Sequence, residues 1–245
     1  MKKILILLSA IMLLSFTVPE DTPITIFMIG DSTMADKNLA KQNQERGWGQ
    51  MLPLHLKGDI KVDNHAQNGR STKSFIDEGR WETVITKVQP GDYVFIQFGH
   101  NDEKDDAKRH TDAQTSFRDN LTRFIRETKA KGGHPVLYNS IVRRNFVDGV
   151  LTDTHGEYRE VPKQVAEAEG IPFVDANAIT DNMVRKMGDK KSTKMYMWIK
   201  PHKYEFCPEG KQDNTHLNIK GATKVSKLLI DATVEKVPEL KQYVK

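Results

Sequence analysis

Two separated segments of the sequence contain the side chains needed for nucleophilic attack by a serine. Ser32 lies within the run Gly-Asp-Ser-Thr at 30–33, and Asp213 and His216 lie within Asp-Asn-Thr-His at 213–216. A serine hydroxyl is a weak acid, so it needs a neutral imidazole as base, and the imidazole needs a carboxylate that fixes its tautomer. These residue types predict acyl transfer, although each segment also fits an ordinary helix cap or polar loop.

Two further segments could stabilise the charge that such a reaction develops. Gly69 lies within Asn-Gly-Arg-Ser-Thr at 68–72, and Asn101 lies within Gly-His-Asn-Asp at 99–102. A tetrahedral acyl intermediate carries a negatively charged oxygen, which needs hydrogen-bond donors already in place. The backbone N–H groups of Ser32 and Gly69 and the side-chain amide of Asn101 could supply three donors. Taken separately, these segments are common turn signals.

Short apolar runs alternate with helical patterns along the chain. The runs expected to form strands are 24–29, 61–64, 93–98, 135–139 and 171–175. Amphipathic spacing predicts helices around 117–128, 158–168 and 219–229. Apolar strands that alternate with amphipathic helices are typical of an α/β fold, in which helices cover both faces of a parallel sheet. Ligands bind beyond the carboxyl ends of such strands, and three of the polar segments follow a predicted strand.

The first 19 residues are predicted to be a secretory signal peptide. Two lysines follow Met1, and an apolar run at 4–18 leads to a polar exit. The run is shorter than the roughly 20 apolar residues that a membrane-spanning helix needs, so cleavage and export are favoured over a stable membrane anchor. The sequence does not fix the cleavage site. We expect one domain, residues 20–245, in the periplasm or outside a bacterial cell.

Composition restricts the partners of this chain. Its 245 residues include 37 Lys and Arg against 33 Asp and Glu, for a net charge of +4. The two signs are interspersed, which gives no support for nucleic-acid binding. The eight histidines are scattered without the spacing of metal ligands, so neither a metal nor another cofactor is expected. Cys207 is the one cysteine and cannot form an intramolecular disulfide. A monomer is expected.

Together and in this order, the four polar segments resemble the SGNH (GDSL-type) esterase and lipase superfamily. The resemblance extends from Ile24 to the last helix. It implies a three-layer α/β/α sandwich with a five-stranded parallel, flavodoxin-like sheet. The residues that match the four for which the family is named are Ser32, Gly69, Asn101 and His216, and Asp213 would complete the catalytic triad.

A narrower set of segments resembles the rhamnogalacturonan acetylesterases, which remove acetyl groups from the backbone of branched pectin. These segments are Gly-Trp-Gly-Gln at 47–50, Gly-Arg-Trp at 79–81, Gln-Phe-Gly-His-Asn-Asp at 97–102, Val-Arg-Arg-Asn-Phe at 142–146 and Asp-Thr-His-Gly-Glu-Tyr at 153–158. The likeness implies an esterase that acts on an acetylated acidic polysaccharide through an acetyl-serine intermediate.

Three side chains are candidate contacts for such a substrate. Arg143 and Arg144 follow the fourth predicted strand, and a guanidinium group fits a galacturonate carboxylate. An internal salt bridge fits both arginines equally well. Trp198 lies in an aromatic, lysine-rich stretch at 189–211, where its ring could stack on a sugar. A flap that covers the core is the favoured interpretation of that stretch.

Other reactions remain open at this point. Within the same superfamily, the ester could belong to xylan, peptidoglycan or a lipid. A different class of enzyme, a glycosidase that uses paired carboxylates, could recruit Asp31, Asp102 and Asp213. An exported carbohydrate-binding protein without turnover is disfavoured, because every residue that the reaction requires is present.

Overall fold

The structure is a computed structural model that describes residues 23–245. The predicted signal peptide at 1–19 lies outside the described residues. Within residues 23–245 no helix is both long and apolar enough to span a membrane.

Residues 23–245 form nine strands and six α-helices, joined by short turns and 3-10 segments. The strands are β1 (Thr25–Gly30), β2 (Lys61–Asn64), β3 (Tyr93–Gln97), β4 (His134–Tyr138), β5 (Phe146–Val147), β6 (Val150–Leu151), β7 (Phe173–Val174), β8 (Tyr196–Ile199) and β9 (Lys211–Leu217). The helices are α1 (Thr72–Asp77), α2 (Arg80–Ile85), α3 (Arg118–Ala130), α4 (Glu157–Glu169), α5 (Ala176–Ser192) and α6 (Ile219–Lys236).

The central element is a five-stranded parallel sheet with the order β2-β1-β3-β4-β7. This order is that of flavodoxin-like folds, so the predicted α/β class and sheet are confirmed. Four of the five predicted strands lie within about one residue of their expected bounds. The fifth is shorter than the expected 171–175, because only Phe173–Val174 pairs with β4.

The two faces of the sheet bury two separate apolar layers. Successive side chains of a strand point to opposite faces. Ile26 and Met28 accordingly pack in the layer that contains the α6 residue Leu229, whereas Phe27 and Ile29 pack in the layer that contains the α3 residue Phe124. All six side chains are at most 4% exposed. This burial of apolar area on both faces fixes the register of β1 and therefore the position of the turn that follows it.

A small hairpin, β8–β9, lies before the last helix and corrects one expectation from the sequence. The segment with Asp213 and His216 fitted a helix cap or a polar loop, but both residues belong to β9, which pairs antiparallel with β8. The pairing places Met197 opposite Asp213 and Trp198 opposite Gln212. Part of the stretch at 189–211 is therefore the partner strand of the segment that carries these two side chains.

Candidate active site

Ser32 follows β1 on a tight turn that Asp31 organises. Asp31 Oδ1 accepts hydrogen bonds from the backbone N–H of Thr33 at 2.8 Å and from its hydroxyl at 2.7 Å. The backbone carbonyl of Asp31 accepts from the N–H groups of Met34 and Ala35. Such bonds from an aspartate to residues just ahead of it stabilise a turn. The turn leaves Ser32 partly exposed at the carboxyl end of β1.

Ser32, His216 and Asp213 are connected by two hydrogen bonds. His216 Nδ1 lies 2.8 Å from Asp213 Oδ2, and His216 Nε2 lies 2.8 Å from Ser32 Oγ. Because a carboxylate can only accept, Nδ1 carries the proton and Nε2 accepts from the serine hydroxyl. This geometry suits a serine nucleophile with its general base and an orienting acid. The side chain of His216 is 26% exposed, so a substrate can approach it.

The backbone of β9 wraps around the carboxylate of Asp213. Asp213 Oδ1 accepts from the N–H groups of Thr215 at 2.8 Å and His216 at 2.9 Å. Burial by itself would raise the pKa of Asp213, but its hydrogen bond with the ring of His216, the charge of that ring and the backbone N–H groups hold the pKa well below its usual range. Asp213 is therefore an ionised carboxylate at neutral pH.

The three predicted oxyanion donors come from neighbouring turns after β1, β2 and β3. The side-chain amide of Asn101 donates one hydrogen to the carbonyl of Arg70 at 3.1 Å, which leaves its second hydrogen free to donate. Gly69 has a φ of +76°, which glycine adopts without strain. Among residues 23–245 no acceptor pairs with the backbone N–H of Ser32 or Gly69. Donors from all three turns are thus available.

Asp102 ties the turn after β3 to the start of α1. Its Oδ1 accepts from the backbone N–H of Thr72 at 3.0 Å, from the hydroxyl of Thr72, and from the hydroxyl of Thr111 at 3.1 Å. Burial raises the pKa of Asp102 to about 7, and its hydrogen bonds with the two threonines oppose that rise. Asp102 is fully buried, so its contacts stabilise the loop that carries Asn101.

A buried pair, Asp31 and His100, lies behind the serine turn. Asp31 Oδ2 is 3.1 Å from His100 Nδ1, and the residues are 0% and 3% exposed. Burial lowers the pKa of His100 to about 4, against the opposing charge of Asp31, so the ring is neutral at pH 7. Burial opposes ionisation of Asp31 too, but His100 and Thr33 lower the pKa of Asp31 to about 2. The contact therefore ties the loop after β3 to the serine turn.

Arg143 does not extend into the crevice as the sequence suggested it could. Its guanidinium forms an ion pair with Glu103 and donates to the carbonyl of His100 at 3.2 Å and to the hydroxyl of Thr154 at 3.2 Å. The alternative of an internal salt bridge is therefore the one observed. The reason is that the loop after β3 places a carboxylate, Glu103, within reach.

Arg144 is also held by internal partners, and its side chain is 6% exposed. It donates to Ser192 Oγ at 3.0 Å, to Asn214 Oδ1 at 2.8 Å and to Asp189. A predicted contact between Arg144 and a substrate carboxylate is not compatible with this burial. The guanidinium instead supports the segment that carries Asp213 and His216.

Trp198 is fixed in place but has an accessible surface. Its Nε1 donates to Asn214 Oδ1 at 2.8 Å, and the guanidinium carbon of Arg144 lies 4.8 Å from the ring centroid. Trp198 is 38% exposed, whereas the neighbouring Tyr196 and Met197 are buried at 1% and 0%. The aromatic stretch therefore contributes both a core cover, as favoured from the sequence, and an exposed ring.

Three charged residues near Asp213 were not predicted from the sequence to belong to the site. Lys211 Nζ lies 3.0 Å from Asp213 Oδ2 and 3.1 Å from Glu45 Oε2, and Lys37 Nζ lies 3.0 Å from Glu45 Oε1. Lys211 is only two positions from Asp213, but sequence spacing does not connect Glu45 or Lys37 to that segment. For Glu45, the signal in the sequence is that it shortly precedes the Gly-Trp-Gly-Gln run at 47–50.

Metal ligands do not cluster in the described part of the chain. No group of three or more His, Cys, Asp or Glu side chains within residues 23–245 could hold a metal ion.

Comparison with known proteins identifies the family. Residues 28–223 match the GDSL-like Lipase/Acylhydrolase family. The rhamnogalacturonan acetylesterase RhgT of Bacillus subtilis is 36% identical over 223 residues, which cover 91% of this chain and 94% of RhgT.

Two solved structures share the fold. The crystal structure of protein YxiM from Bacillus subtilis aligns with a TM-score of 0.75 at 26% identity, over 89% of this chain. This chain spans 57% of that longer protein. An acetylxylan esterase from Geobacillus stearothermophilus aligns with a TM-score of 0.60 at 19% identity, over 87% of this chain and 94% of that one. With a serine, an imidazole and a carboxylate joined at the carboxyl edge of a five-stranded parallel sheet, the chain belongs to the GDSL-like (SGNH) lipase and acylhydrolase family.

Proposed function

We propose that this protein is a serine carbohydrate esterase that removes O-acetyl groups from the rhamnogalacturonan backbone of pectin. The observation that carries the proposal is the pair of 2.8 Å hydrogen bonds that join Ser32, His216 and Asp213. Family membership makes a carboxylic ester hydrolase the general class. The relative RhgT, a rhamnogalacturonan acetylesterase, supports the choice of substrate.

The first half of the reaction forms an acetyl-serine. Ser32 Oγ attacks the acetyl carbonyl carbon while its proton passes to His216 Nε2, and Asp213 keeps the ring in the reactive tautomer. The carbonyl oxygen becomes an oxyanion, which the N–H groups of Ser32 and Gly69 and the amide of Asn101 stabilise. The imidazolium then protonates the departing sugar oxygen as the ester C–O bond breaks.

The second half releases acetate and restores the enzyme. Water attacks the acetyl-serine carbonyl, and His216 Nε2 accepts a proton from it. The bond to Ser32 Oγ breaks, and the proton returns from the imidazolium to the serine oxygen. The products are one deacetylated hydroxyl and one acetic acid, so the reaction consumes one water and needs no cofactor.

A groove beside the catalytic hairpin is our candidate for the neighbouring sugars of the chain. It has a volume of about 390 Å³, and its lining includes Trp198, Tyr204, Lys203 and Lys220. Sugar rings pack well on aromatic faces, and lysines attract a polysaccharide with carboxylates. Arg144 holds the Trp198 ring from one side at 4.8 Å, so the aromatic surface is rigid before the substrate arrives.

A glycosidase that uses Asp31 and Asp102 is a weaker alternative. Both residues are 0% exposed. Each carboxylate accepts a hydrogen bond from a nearby threonine, and that of Asp31 also contacts His100. A glycosidase needs two carboxyl groups that flank the scissile bond, which these positions do not offer. Inactivation by a serine-directed phosphonate is expected for the esterase and not for a glycosidase.

The test of the substrate is acetate release from three acetylated polysaccharides. We expect faster release from acetylated rhamnogalacturonan than from acetylated xylan or acetylated homogalacturonan, and none from any of them with Ser32→Ala. Equal rates on all three would reduce the function to a general carbohydrate esterase. Acetate release by Ser32→Ala at the wild-type rate would remove the serine mechanism altogether.

We also propose that the segment at 1–19 directs export. A basic start and a short apolar run support this proposal. Expression of the full chain in a bacterium should give a cell-envelope or medium fraction whose new N-terminus lies near residue 20. Full-length protein confined to the cytoplasm would contradict it.

A further inference from the structure

A network of alternating charges, formed by Lys37, Glu45, Lys211 and Asp213, connects two sides of the candidate active site. Lys37 Nζ lies 3.0 Å from Glu45 Oε1, and Glu45 Oε2 lies 3.1 Å from Lys211 Nζ. Lys211 Nζ also lies 3.0 Å from Asp213 Oδ2. At the other end, Lys37 Nζ donates to the side-chain oxygen of Asn68. The network therefore extends from the turn after β2 to the carboxylate of Asp213 on β9.

Each end of this network contacts a functional part of the proposed site. Asn68 precedes Gly69, whose N–H is a proposed oxyanion donor. Asp213 Oδ2 is the oxygen that accepts from His216 Nδ1 at 2.8 Å, and Lys211 binds that same oxygen. The position and the charge of this one oxygen thus depend on Lys211 as well as on the imidazole.

Burial distinguishes this network from an ion pair on the protein surface. The side chain of Lys37 is 3% exposed, those of Glu45 and Asp213 are each 16% exposed, and that of Lys211 is 35% exposed. Burial of an ammonium group is costly, and replacement of buried ion pairs by apolar side chains is often neutral or stabilising. A contribution to stability therefore does not explain the buried Lys37, whereas a fixed geometry at both ends of the network would explain it.

We propose that Lys211 and Glu45 are positioning residues that set the orientation and electrostatic environment of the Asp213–His216 pair, and that Lys37 fixes Glu45 and the Asn68–Gly69 turn. The proposal rests on the esterase function proposed above. Lys211 places a positive charge beside the orienting carboxylate, and Glu45 limits that charge by sharing it. In this role Lys37, Glu45 and Lys211 act through Asp213, His216 and the Asn68–Gly69 turn.

The sign of each substitution follows from the charges around the imidazole. The charged and titratable groups connected to it in this site are Asp213, Lys211, Glu45 and Lys37. Arg144 binds Asn214 between the acid and the base, and the Asp31–His100 pair lies behind the serine turn. Lys211→Met removes a positive charge, so protonation of the imidazole is favoured and the acid limb of kcat/KM moves to higher pH. Glu45→Gln removes a negative charge, so the same limb moves to lower pH.

The experiment measures kcat and KM for p-nitrophenyl acetate between pH 4 and 9 in the wild type, Lys211→Met, Lys211→Arg and Glu45→Gln. We expect kcat of Lys211→Met to fall about tenfold with little change in KM, as for the loss of one partly exposed charge-assisted hydrogen bond. The acid limb should move by about half a pH unit in opposite directions for Lys211→Met and Glu45→Gln. Lys211→Arg should restore most of the activity, because it retains the charge and can reach both carboxylates.

Lys227→Met is the matched control, because Lys227 pairs with Asp231 at 2.6 Å on α6, outside the site. It should leave kcat and the acid limb unchanged. Two results would overturn the proposal: Lys211→Met with a wild-type profile, or Lys211→Met and Glu45→Gln with limbs shifted in the same direction. The proton resonance of His216 Nδ1 is recorded by NMR in each folded variant. This signal needs no substrate, so it tests the network even if the wild type hydrolyses no acetyl ester and the proposed function fails.

Discussion

Arg144 and Asn214 form two hydrogen bonds although they are 70 positions apart in the sequence. The backbone N–H of Arg144 donates to the carbonyl of Asn214 at 2.8 Å, and Nη1 donates to Asn214 Oδ1 at 2.8 Å. Asn214 lies between the acid and the base of the candidate triad. The chain after β4 therefore holds in place the segment that carries Asp213 and His216 of the candidate triad.

Replacement of Arg144 by lysine should lower both stability and turnover. Lysine lacks the planar fork that binds Ser192, Asn214 and Asp189 together. We expect a loss of about 2 kcal/mol in the free energy of unfolding, because buried donors and acceptors lose partners. We also expect kcat/KM to fall about tenfold through displacement of the triad. Urea unfolding and hydrolysis of p-nitrophenyl acetate measure the two effects.

Arg126→Lys is the control for this substitution. Arg126 pairs with Glu169 on the surface, and its side chain is 70% exposed. Such pairs contribute little, so this variant should match the wild type in both assays. If Arg144→Lys is equally silent, the support of Asn214 by Arg144 has no energetic weight.

Loss of the Asn101 amide should reduce turnover without much effect on substrate affinity. An oxyanion donor acts on a charge that develops only in the transition state, so Asn101→Ala should lower kcat by about 10²–10³ and leave KM nearly unchanged. Steady-state kinetics on p-nitrophenyl acetate measure both values. Asn182→Ala, on the exposed face of α5, is the control. Full turnover in Asn101→Ala would remove this residue from the oxyanion hole.

Acid should destabilise the fold through His100. Burial lowers the pKa of His100 to about 4 in the folded protein, and an unfolded histidine titrates near pH ~6.5. The unfolded state therefore binds the proton first. The stabilising contribution of the neutral ring is complete above pH ~6.5 and is lost as the pH falls toward 4, with a total of about 3 kcal/mol.

Comparison with His100→Gln isolates this contribution. The free energy of urea unfolding should fall less between pH 7 and pH 4.5 in this variant than in the wild type. The exposed His110 provides the control, since His110→Gln should keep the wild-type pH dependence. A wild-type slope in His100→Gln would assign the acid sensitivity to other groups.

The sheet and the triad could be predicted from the sequence because their signals are local. Apolar strands end where polar turns begin, and parallel strands bring their carboxyl ends to one edge. Ser32, Gly69 and Asn101 each follow a strand within a few residues, so their meeting follows from topology. Asp213 and His216 are close in sequence, and their mutual contact needs no long-range information. The strand β9 was missed because polar residues fill it.

The partners of long charged side chains could not be predicted in this way. Whether Arg143 binds a substrate or Glu103 depends on where the loop after β3 turns, and the sequence pattern does not encode that direction. The same holds for Glu45 and Lys211, which are 166 positions apart and meet only through packing of the segment before residues 47–50 against β9. Close packing explains part of that motif: a Cβ on Gly47 would lie 2.3 Å from the backbone oxygen of Ala35.

Trp198 should matter for a polysaccharide and not for a small ester. Its exposed ring lines the groove in which we place the neighbouring sugars. Loss of one aromatic contact of about 1.4 kcal/mol should raise KM for acetylated rhamnogalacturonan about tenfold in Trp198→Ala. Hydrolysis of p-nitrophenyl acetate should stay within about twofold of the wild type, because this ester is too small to reach the groove.

Trp198→Phe separates stacking from support of the catalytic segment. Phenylalanine keeps an aromatic face but loses the 2.8 Å hydrogen bond from Nε1 to Asn214 Oδ1. If Trp198 binds sugar, Trp198→Phe should retain most of the affinity for the polysaccharide while Trp198→Ala loses it. If Trp198 acts through Asn214, both variants should lose turnover on the small ester to a similar extent, since both lack the indole N–H. The ratio of kcat/KM for the polysaccharide to kcat/KM for p-nitrophenyl acetate, compared between the two variants, therefore assigns the role of this ring.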